Sequence, residues 1–431
     1  MKKNIFIYII ITILLTNGFW ANFTPIPLVV DCACIPLFIY TLIYSDRGEL
    51  NKKFNRIYWE LIIYSIGLSV ILLKDLVTDL TPRVCILGFR GYIELIFVGL
   101  AIERLISSKK DYSNTIKYIT YFSTVLCCFG IIQYVFYDYL PDSLVHVYSG
   151  KIGYVYQDDT ILYRPNALFS NGIVFNGIII ISSGLSLAFI IEEGLKIRYI
   201  ICFLIAVTVN ILTCARASNA GAILVYFTEY LLLNKRRFNF RRVLIVLFFG
   251  TALFAMTFAS SETTIYKRMF DSSMTVQSDA VHTETINEAI ETISNHPMLG
   301  IGIGTQGYDS TGSTIDKIVR DGWLYQFALE IGVPLTILFI IILLSFVFNA
   351  YKVMNTTDIP IVKVLCGSFI SITAYFFFSG FINSSYNAKE VFGLYWIIAG
   401  LTLWEDIGCP EGANNKLLFE QDQRQEINST L

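Results

Sequence analysis

The sequence predicts an all-α polytopic membrane protein, and three observations favour this fold class: its composition, its long apolar runs and its distribution of basic residues. Of the 431 residues, 55% are hydrophobic and only 15% are charged, whereas about 25% of an ordinary soluble domain is charged. Apolar runs of about 20 residues, the length that crosses a bilayer as a helix, recur along the whole chain. A soluble globular domain is therefore excluded.

The apolar runs predict about twelve transmembrane helices. They cover residues 4–20, 26–44, 57–73, 84–103, 115–137, 167–191, 197–213, 217–233, 243–259, 323–350, 363–383 and 389–404. The first run is expected to be retained, because no small-residue cleavage site of a secretory signal follows it. Residues 1–404 are thus predicted to form a single transmembrane domain, and residues 405–431 a polar, disordered tail.

Basic residues set the expected orientation, because loops rich in lysine and arginine stay in the cytoplasm. With the N-terminus inside, most of the 32 basic residues fall in inner segments. Their densest run, at residues 235–242, is interpreted as a topology anchor near anionic lipid rather than as a nucleic-acid-binding site. Both termini are then cytoplasmic, and two large external loops are expected at about residues 138–166 and 260–322.

The second external loop and the run after it contain the most distinctive segment, from Asn295 to Pro334. A helical period predicts a short amphipathic helix over about residues 279–294, with an apolar face and a face of glutamates. The apolar face comprises Ile286, Ala289, Ile290 and Ile293. The glycines that follow permit tight turns, and three of them match GxGxxG. No strand–turn–helix unit surrounds that match, so a nucleotide site is not expected.

Two acids near the tenth apolar run are candidate catalytic groups. Asp321, next to Arg320, precedes the run, where the positive end of a helix dipole favours anions. Glu330 lies about two turns further in, and an ionisable residue at membrane depth is a functional candidate by default. The alternative for Glu330 is pairing with another helix. Arg320, His282 and His296, in the same external loop, are candidates for a supporting role.

Three arginines on the external side are candidate ligands of a phosphate group. Arg164 precedes the sixth run, Arg216 lies between the seventh and eighth runs, and Arg268 lies in the second large loop. A diphosphate is a suitable partner, because guanidinium groups bind phosphate oxygens bidentately. The alternative for Arg164 and Arg216 is a guanidinium group satisfied by carbonyl groups at a helix end. By contrast, Arg90 and Glu94 are spaced i, i+4 and are expected to neutralise each other.

Three segments resemble motifs of the bacterial O-antigen polymerase and O-antigen ligase superfamily. They are RPNALFSNGIVFNG at residues 164–177, TCARASNAGAIL at 213–224, and HPMLGIGIG with DGWLYQFALEIGVP within 296–334. Ala215 replaces the serine of the family's serine–arginine–glycine turn, and His282 stands where a second arginine is often found. Asp321 occupies the position at which the family's ligases usually have a histidine base. In having an acid at this position the sequence resembles many polymerases of the family, and this resemblance favours a polymerase over a ligase.

The resemblance implies glycosyl transfer on the external, periplasmic face of the bacterial cytoplasmic (inner) membrane, by a fold similar to C-class membrane glycosyltransferases. Glycan on undecaprenyl diphosphate would be joined to another lipid-linked repeat unit. Arg164, Arg216 and Arg268 would stabilise the leaving diphosphate, and Asp321 would act as general base. External aromatic residues such as Trp323 and Tyr325 are candidates to stack on sugars, although such residues are also ordinary membrane anchors.

Neither a metal nor another cofactor is expected on this interpretation, and no nucleic-acid partner. Besides the undecaprenyl-diphosphate-linked repeat units and membrane lipid, the partners that the resemblance implies are a chain-length regulator and a flippase. The product stays open among O-antigen, capsule and exopolysaccharide. Two alternatives stay open for the function: an O-antigen ligase that transfers finished glycan to another acceptor, and a transporter that flips the lipid-linked oligosaccharide.

Overall fold

The computed structural model describes residues 2–16, 56–78, 80–106, 108–141, 144, 154–157, 160–234, 272–306, 315, 322–383, 386 and 388–403. These residues are almost entirely helical. The helices, in chain order, are α1 (Lys2–Leu15), α2 (Arg56–Val77), α3 (Pro82–Leu105), α4 (Lys109–Val135), α5 (Gly172–Glu193), α6 (Ile197–Leu212), α7 (Arg216–Leu233), α8 (Ser272–Asn295), α9 (Trp323–Thr356), α10 (Pro360–Ser379) and α11 (Lys389–Leu401).

Within the described residues, 5 helices are long and apolar enough to cross a membrane. Their spanning parts are Pro82–Ile102, Lys109–Val135, Gly172–Glu193, Trp323–Thr356 and Pro360–Ser379, and Ile5–Leu15 and Ile197–Leu212 are shorter apolar helices. The protein is therefore a helical membrane protein. Each predicted run in this part of the chain coincides with a helix. The predicted runs at 26–44 and 243–259 and the predicted tail at 405–431 lie outside the described residues.

The first predicted external loop contains a hairpin that is not evident from its sequence. Strands β1 (Tyr154–Gln157) and β2 (Thr160–Tyr163) pair antiparallel, with Tyr154 opposite Tyr163 and Gln157 opposite Thr160. Each strand is 4 residues long, which is at the lower limit for an alternating pattern to be recognised.

The amphipathic helix predicted over 279–294 is confirmed, as part of the longer helix α8. Its buried residue Ala289 packs against Leu329 of α9, together with Ile293. Ile290, predicted on the same apolar face, is instead 51% exposed. The contact face of α8 is thus narrower than its apolar pattern, because one neighbouring helix covers only a narrow stripe.

Helix α5 forms the centre of the fold. Its residues from Val174 to Ile190 are buried, and the helix packs against α4, α6, α7 and α10. A helix that is apolar on all sides requires such surroundings. The contacts also show which helix ends lie together.

One end of the bundle collects the start of α5, the start of α7, the end of α10 and the start of α11, and it is called the arginine end below. Gly177 of α5 faces Val391 of α11, and Gly221 of α7 faces the ring of Tyr375 of α10. Because the connection from α10 to α11 is short, the contact of α7 with α10 and the contact of α5 with α11 lie at the same end. At the opposite end lie the α5–α6 turn and the α9–α10 turn.

Candidate functional site

Two of the predicted phosphate ligands, Arg164 and Arg216, lie together at the arginine end. Arg164 Nη2 donates to the carbonyl oxygen of Cys214 at 3.4 Å, and Cys214 lies two residues before Arg216. Burial, and to a smaller extent the positive charge of Arg216, lower the pKa of the Arg164 guanidinium. The group remains a cation at neutral pH, because arginine in proteins is effectively always protonated.

The guanidinium group of Arg164 is only partly satisfied. Its Nε atom is buried and has no hydrogen-bond partner. Among the described residues no acidic side chain forms an ion pair with it. The predicted alternative, a guanidinium group bound by helix-end carbonyls, is therefore realised by one long hydrogen bond. Donor capacity remains for an anion. Arg216, at the first position of α7, is exposed.

Gln133, near the end of α4, holds the loop that carries Arg164. Its Oε1 atom accepts hydrogen bonds from the backbone N–H groups of Asn166, at 3.2 Å, and Ala167, at 2.7 Å. Its Nε2 atom donates to the carbonyl oxygens of Ala167, at 2.7 Å, and Leu144, at 2.6 Å. The loop then enters α5 through Asn171, whose Oδ1 atom accepts from the first backbone N–H groups of that helix.

Side-chain hydrogen bonds also hold the turn that carries Arg216. Asn210 Nδ2 donates to Asn219 Oδ1 at 2.8 Å, and Ser218 Oγ donates to Asn210 Oδ1 at 2.8 Å. These bonds tie the end of α6 to the first turn of α7. Helix α7 begins after Ala215 with no side-chain cap, so its first backbone N–H groups favour an anion.

Backbone strain is concentrated beside both arginines. Among the described residues, Ala167 (φ 48°) and Cys214 (φ 52°) are the non-glycine residues with positive φ. The left-handed region costs an L-residue about 1–2 kcal/mol. Such strain persists where the surrounding structure imposes it, which is common at functional sites. Here Gln133 imposes it on the Arg164 loop.

A second constellation is the glycine turn, residues 296–306, which docks onto a break in α9. At Gly332 the backbone leaves the helical region, with φ 78° and ψ 164°. The Leu329 carbonyl oxygen, freed by the break, accepts from Ile301 N–H at 2.7 Å, and the Val333 N–H group donates to the Pro297 carbonyl oxygen at 2.8 Å. The turn thus satisfies the backbone groups that the break exposes.

Glu330 anchors the glycine turn to two helices. Its buried carboxylate accepts from the Gly304 N–H group at 3.0 Å, the Gln306 N–H group at 2.7 Å and the Tyr92 hydroxyl of α3 at 2.6 Å. Gln326 Nε2 lies 3.4 Å away. This is the predicted alternative for Glu330, namely pairing with another helix. Its geometry is that of a positioning residue, because both carboxylate oxygens are occupied by donors of the protein.

Asp75 of α2 is a second anchor of the glycine turn and was missed in the sequence. Its buried carboxylate accepts from the Ile303 N–H group at 2.7 Å and forms an ion pair with Lys74 at 2.9 Å. Lys74 Nζ also donates to the Leu299 carbonyl oxygen at 3.3 Å. The signal was present, since Asp75 is an acid at the end of an apolar run. The backbone group that it binds, the Ile303 N–H group, is however 228 residues away in sequence.

Several other predicted residues have different outcomes. Asp321, Arg320 and Arg268 lie outside the described residues. His282 is half-buried on α8, and His296 is exposed at the start of the glycine turn. Trp323 is fully buried and donates its indole N–H to the Phe376 carbonyl oxygen at 2.7 Å. Its proposed role in stacking on sugars is therefore wrong, because α10 and neighbouring rings enclose it.

The expected pairing of Arg90 with Glu94 is confirmed, with Arg90 Nε 3.4 Å from Glu94 Oε2. Both side chains lie on one face of α3, as their spacing indicates. The two charges compensate each other, so no bound ligand is needed to account for them.

The arginine pair and the glycine turn share one end of the bundle. The Trp323 N–H group donates to the Asn383 carbonyl oxygen at 3.3 Å, and the Leu324 N–H group donates to the Gly380 carbonyl oxygen at 3.2 Å. The start of α9 therefore adjoins the end of α10, which lies at the arginine end. The glycine turn packs on the first turns of α9, so both constellations lie at the same end.

The fold and these constellations define a helical membrane protein with two arginine-bearing loops and a buttressed glycine turn at one end. No protein-family model matches the chain, and no curated protein matches it. The resemblance to the O-antigen polymerase and ligase superfamily therefore rests on the three quoted segments.

Proposed function

We propose that the protein is a metal-independent polysaccharide polymerase of the bacterial cytoplasmic membrane. It would join undecaprenyl-diphosphate-linked repeat units on the external face. The observation that carries this proposal is the buried, unmatched guanidinium Nε of Arg164 beside Arg216. A buried cation without an acidic partner is costly. The diphosphate of a lipid carrier supplies the missing charge at the membrane surface, where its polyprenyl chain stays in hydrocarbon.

The proposed reaction moves the growing glycan from one carrier to the next repeat unit. A hydroxyl oxygen of the acceptor's terminal sugar forms a bond to the anomeric carbon, and the bond from that carbon to the diphosphate oxygen breaks. The hydroxyl proton passes to Asp321, the candidate general base. Negative charge grows on the leaving diphosphate, where Arg164 and Arg216 stabilise it. The products are a longer lipid-linked glycan and undecaprenyl diphosphate.

The distribution of basic residues supports an external location for the arginine end. The opposite end carries a group of lysines and one arginine at helix starts, ends and turns: Lys109, Lys110, Lys196, Arg198 and Lys352. Loops of this kind stay in the cytoplasm. Arg164 and Arg216 then lie outside, where lipid-linked repeat units are joined.

A transporter of the lipid-linked unit is the second candidate, and the break in α9 favours it. Discontinuous helices are common at the substrate sites of secondary transporters. Here the glycine turn occupies the break and satisfies its backbone groups, which favours a fixed buttress for the polymerase. An O-antigen ligase is the nearest enzymatic alternative, and Asp321 in place of the ligases' histidine argues against it.

Binding of the carrier lipid tests the arginine pair directly. We expect undecaprenyl diphosphate in mixed micelles to raise the thermal stability of the purified protein, whereas undecaprenol, which lacks the diphosphate, has no effect. R164Q and R216Q should each weaken binding about 10- to 100-fold, because a hydrogen bond to a charged group contributes about 1.5–3 kcal/mol. The control is R198Q at the opposite end, where Arg198 lies 3.7 Å from Glu193.

Activity measurements distinguish the three candidate functions, which are polymerase, flippase and ligase. Purified protein given lipid-linked repeat units in detergent should form polymer, and D321N should abolish polymer formation while it still binds undecaprenyl diphosphate. A flippase would form no polymer, and it would instead move the units across liposome membranes. Deletion of the gene should leave surface glycan of single-repeat length. Long lipid-linked glycan that never reaches its acceptor would show a ligase and overturn the proposal.

A further inference from the structure

Glu229 of α7 is a buried acid that the proposed reaction does not use. Its side chain is fully buried, and neither carboxyl oxygen has a hydrogen-bond partner. At 1.5 Å per residue, it lies about 20 Å along α7 from Arg216. It therefore belongs to the interior of the bundle and not to the arginine end.

Three helices enclose the carboxyl group. A Cβ atom on Gly184 of α5 would lie 3.0 Å from Glu229 Oε1, with Val225 of α7 and Ile372 of α10 beside it. Ser368 is the polar residue that approaches from α10. Its hydroxyl group has no hydrogen-bond partner.

Within the part of the chain that the structure describes, the remaining groups around Glu229 offer no counter-ion. Tyr226, on the same helix, interacts electrostatically with Glu229 and with Cys127 of α4. Among the described residues, no lysine or arginine forms an ion pair with Glu229. An ionised carboxylate in this position would be a buried, uncompensated charge, which proteins avoid by neutralising the group.

A proton can neutralise the Glu229 carboxyl group with fewer ligands than a metal cation needs. The two carboxyl oxygens and one serine hydroxyl are far fewer than the six to eight oxygen ligands that a cation such as Ca²⁺ takes. A neutral carboxylic acid needs one acceptor for its O–H group, and Ser368 Oγ is available. We propose that Glu229 is a proton-binding site inside the bundle, held as the neutral acid between α5, α7 and α10.

The position of this site gives the proton a structural consequence. Helix α5 follows the loop of Arg164, and α7 begins at Arg216. The two helices that carry the arginine pair therefore meet at Glu229. Loss of the proton would place a charge between them, which either separates the helices or admits water. The proton thus holds the arginine-bearing helices in their packed arrangement, whatever reaction the arginine end performs.

Infrared spectroscopy of the purified full chain in lipid vesicles tests the proposal. At neutral pH, the carbonyl band of one buried carboxylic acid per chain should be present in the wild type and lost in E229Q. The matched control is E193Q at the end of the neighbouring helix α5, because Glu193 forms an ion pair with Lys196 at 2.6 Å. E193Q should lose a carboxylate band and keep the acid band.

Two results would overturn the proposal: loss of a carboxylate band in E229Q, or disappearance of the acid band when sodium chloride replaces a salt of a large organic cation. The second result would indicate a metal cation in place of the proton. If E229Q does not fold, two further variants decide. E229D should keep an acid band at a shifted frequency, and S368A should move the band to higher frequency because the acid loses its acceptor. An unchanged band in both variants would contradict the site.

Discussion

At the scale of single residues, Gln133 determines where Arg164 lies. All of its hydrogen-bonding groups face the chain that carries the arginine, and two of its bonds go to Ala167. Ala167 has positive φ, a conformation that alanine does not adopt without such constraint. The position of the Arg164 guanidinium group is therefore a property of α4 as much as of the loop itself.

We predict that Q133L unfolds at a lower temperature than the wild type and binds undecaprenyl diphosphate more weakly. The substitution leaves backbone N–H and carbonyl groups of Asn166, Ala167 and Leu144 without partners, and each buried unsatisfied group costs about 1–3 kcal/mol. The measurement is thermal unfolding in detergent with and without the lipid. T208V is the control, because Thr208 donates to the Leu204 carbonyl oxygen of its own helix. Equal effects of the two variants would contradict the assigned role.

A second prediction concerns the two carboxylates that hold the glycine turn. E330Q should speed hydrogen exchange at the amides of Gly304 and Gln306, because an amide group cannot accept at both of its polar atoms. D75N should speed exchange at Ile303 and leave the other two amides protected. Residue-resolved hydrogen–deuterium exchange makes the comparison, and each variant serves as the control for the other. Equal loss of protection at all three amides in both variants would mean that the carboxylates act on overall stability.

The residues of the site differ in how far sequence alone could predict them. Arg164 and Arg216 are conspicuous, because basic residues are rare in segments predicted to be external, and the structure brings them together. Gln133 and Asp75 were not predicted as site residues, because their partners are backbone groups distant in sequence. A bond from a side chain to a backbone group requires no matching residue type elsewhere in the chain. The position of Asp321, on which the polymerase interpretation depends most, lies outside the described residues.

At the scale of elements, helix α9 is broken at Gly332, and the glycine turn docks onto the break. The apolar run at 323–350 predicts one continuous helix, and its apolar pattern is indeed continuous through the break. Pattern alone does not locate the break, because the sequence is predominantly apolar on both sides of it. Gly332 and Pro334 were the local signals, and only the docked glycine turn shows why the backbone leaves the helix there.

We predict that G332A destabilises the protein more than P334A does. Gly332 has φ 78°, which costs alanine about 1–2 kcal/mol, and an added Cβ atom would overlap the Met298 carbonyl oxygen. The hydrogen bonds across the break join Leu329 to Ile301 and Val333 to Pro297, and none of them uses the Pro334 ring. Thermal unfolding of the two variants provides the comparison. A larger loss of stability in P334A would mean that proline, and not glycine, sets the break.

At the scale of the whole molecule, the important feature is which helix ends lie together at each end of the bundle. The apolar runs indicate which segments are helical, and those within the described residues coincide with helices. They contain no information about which helix ends meet, because this depends on pairwise packing such as that of Gly177 with Val391. The structure places the arginine pair and the glycine turn at one end, and the basic turns at the other. A reaction on an external lipid-linked glycan requires this separation of the two ends.

The last prediction follows from that separation. M298C, in the glycine turn, should react with a membrane-impermeant maleimide in intact bacterial cells, whereas L195C, in the α5–α6 turn, should react only after the cells are permeabilised. Met298 and Leu195 are suitable sites because they are 67% and 44% exposed, and the background would have its 9 native cysteines replaced by alanine. Expression and thermal stability of both variants serve as controls for folding. Labelling of both positions from the same side would contradict the bundle, because the two turns lie at opposite ends. Labelling of L195C alone in intact cells would reverse the orientation, and the arginine pair would then face the cytoplasm, where the proposed polymerase has no substrate.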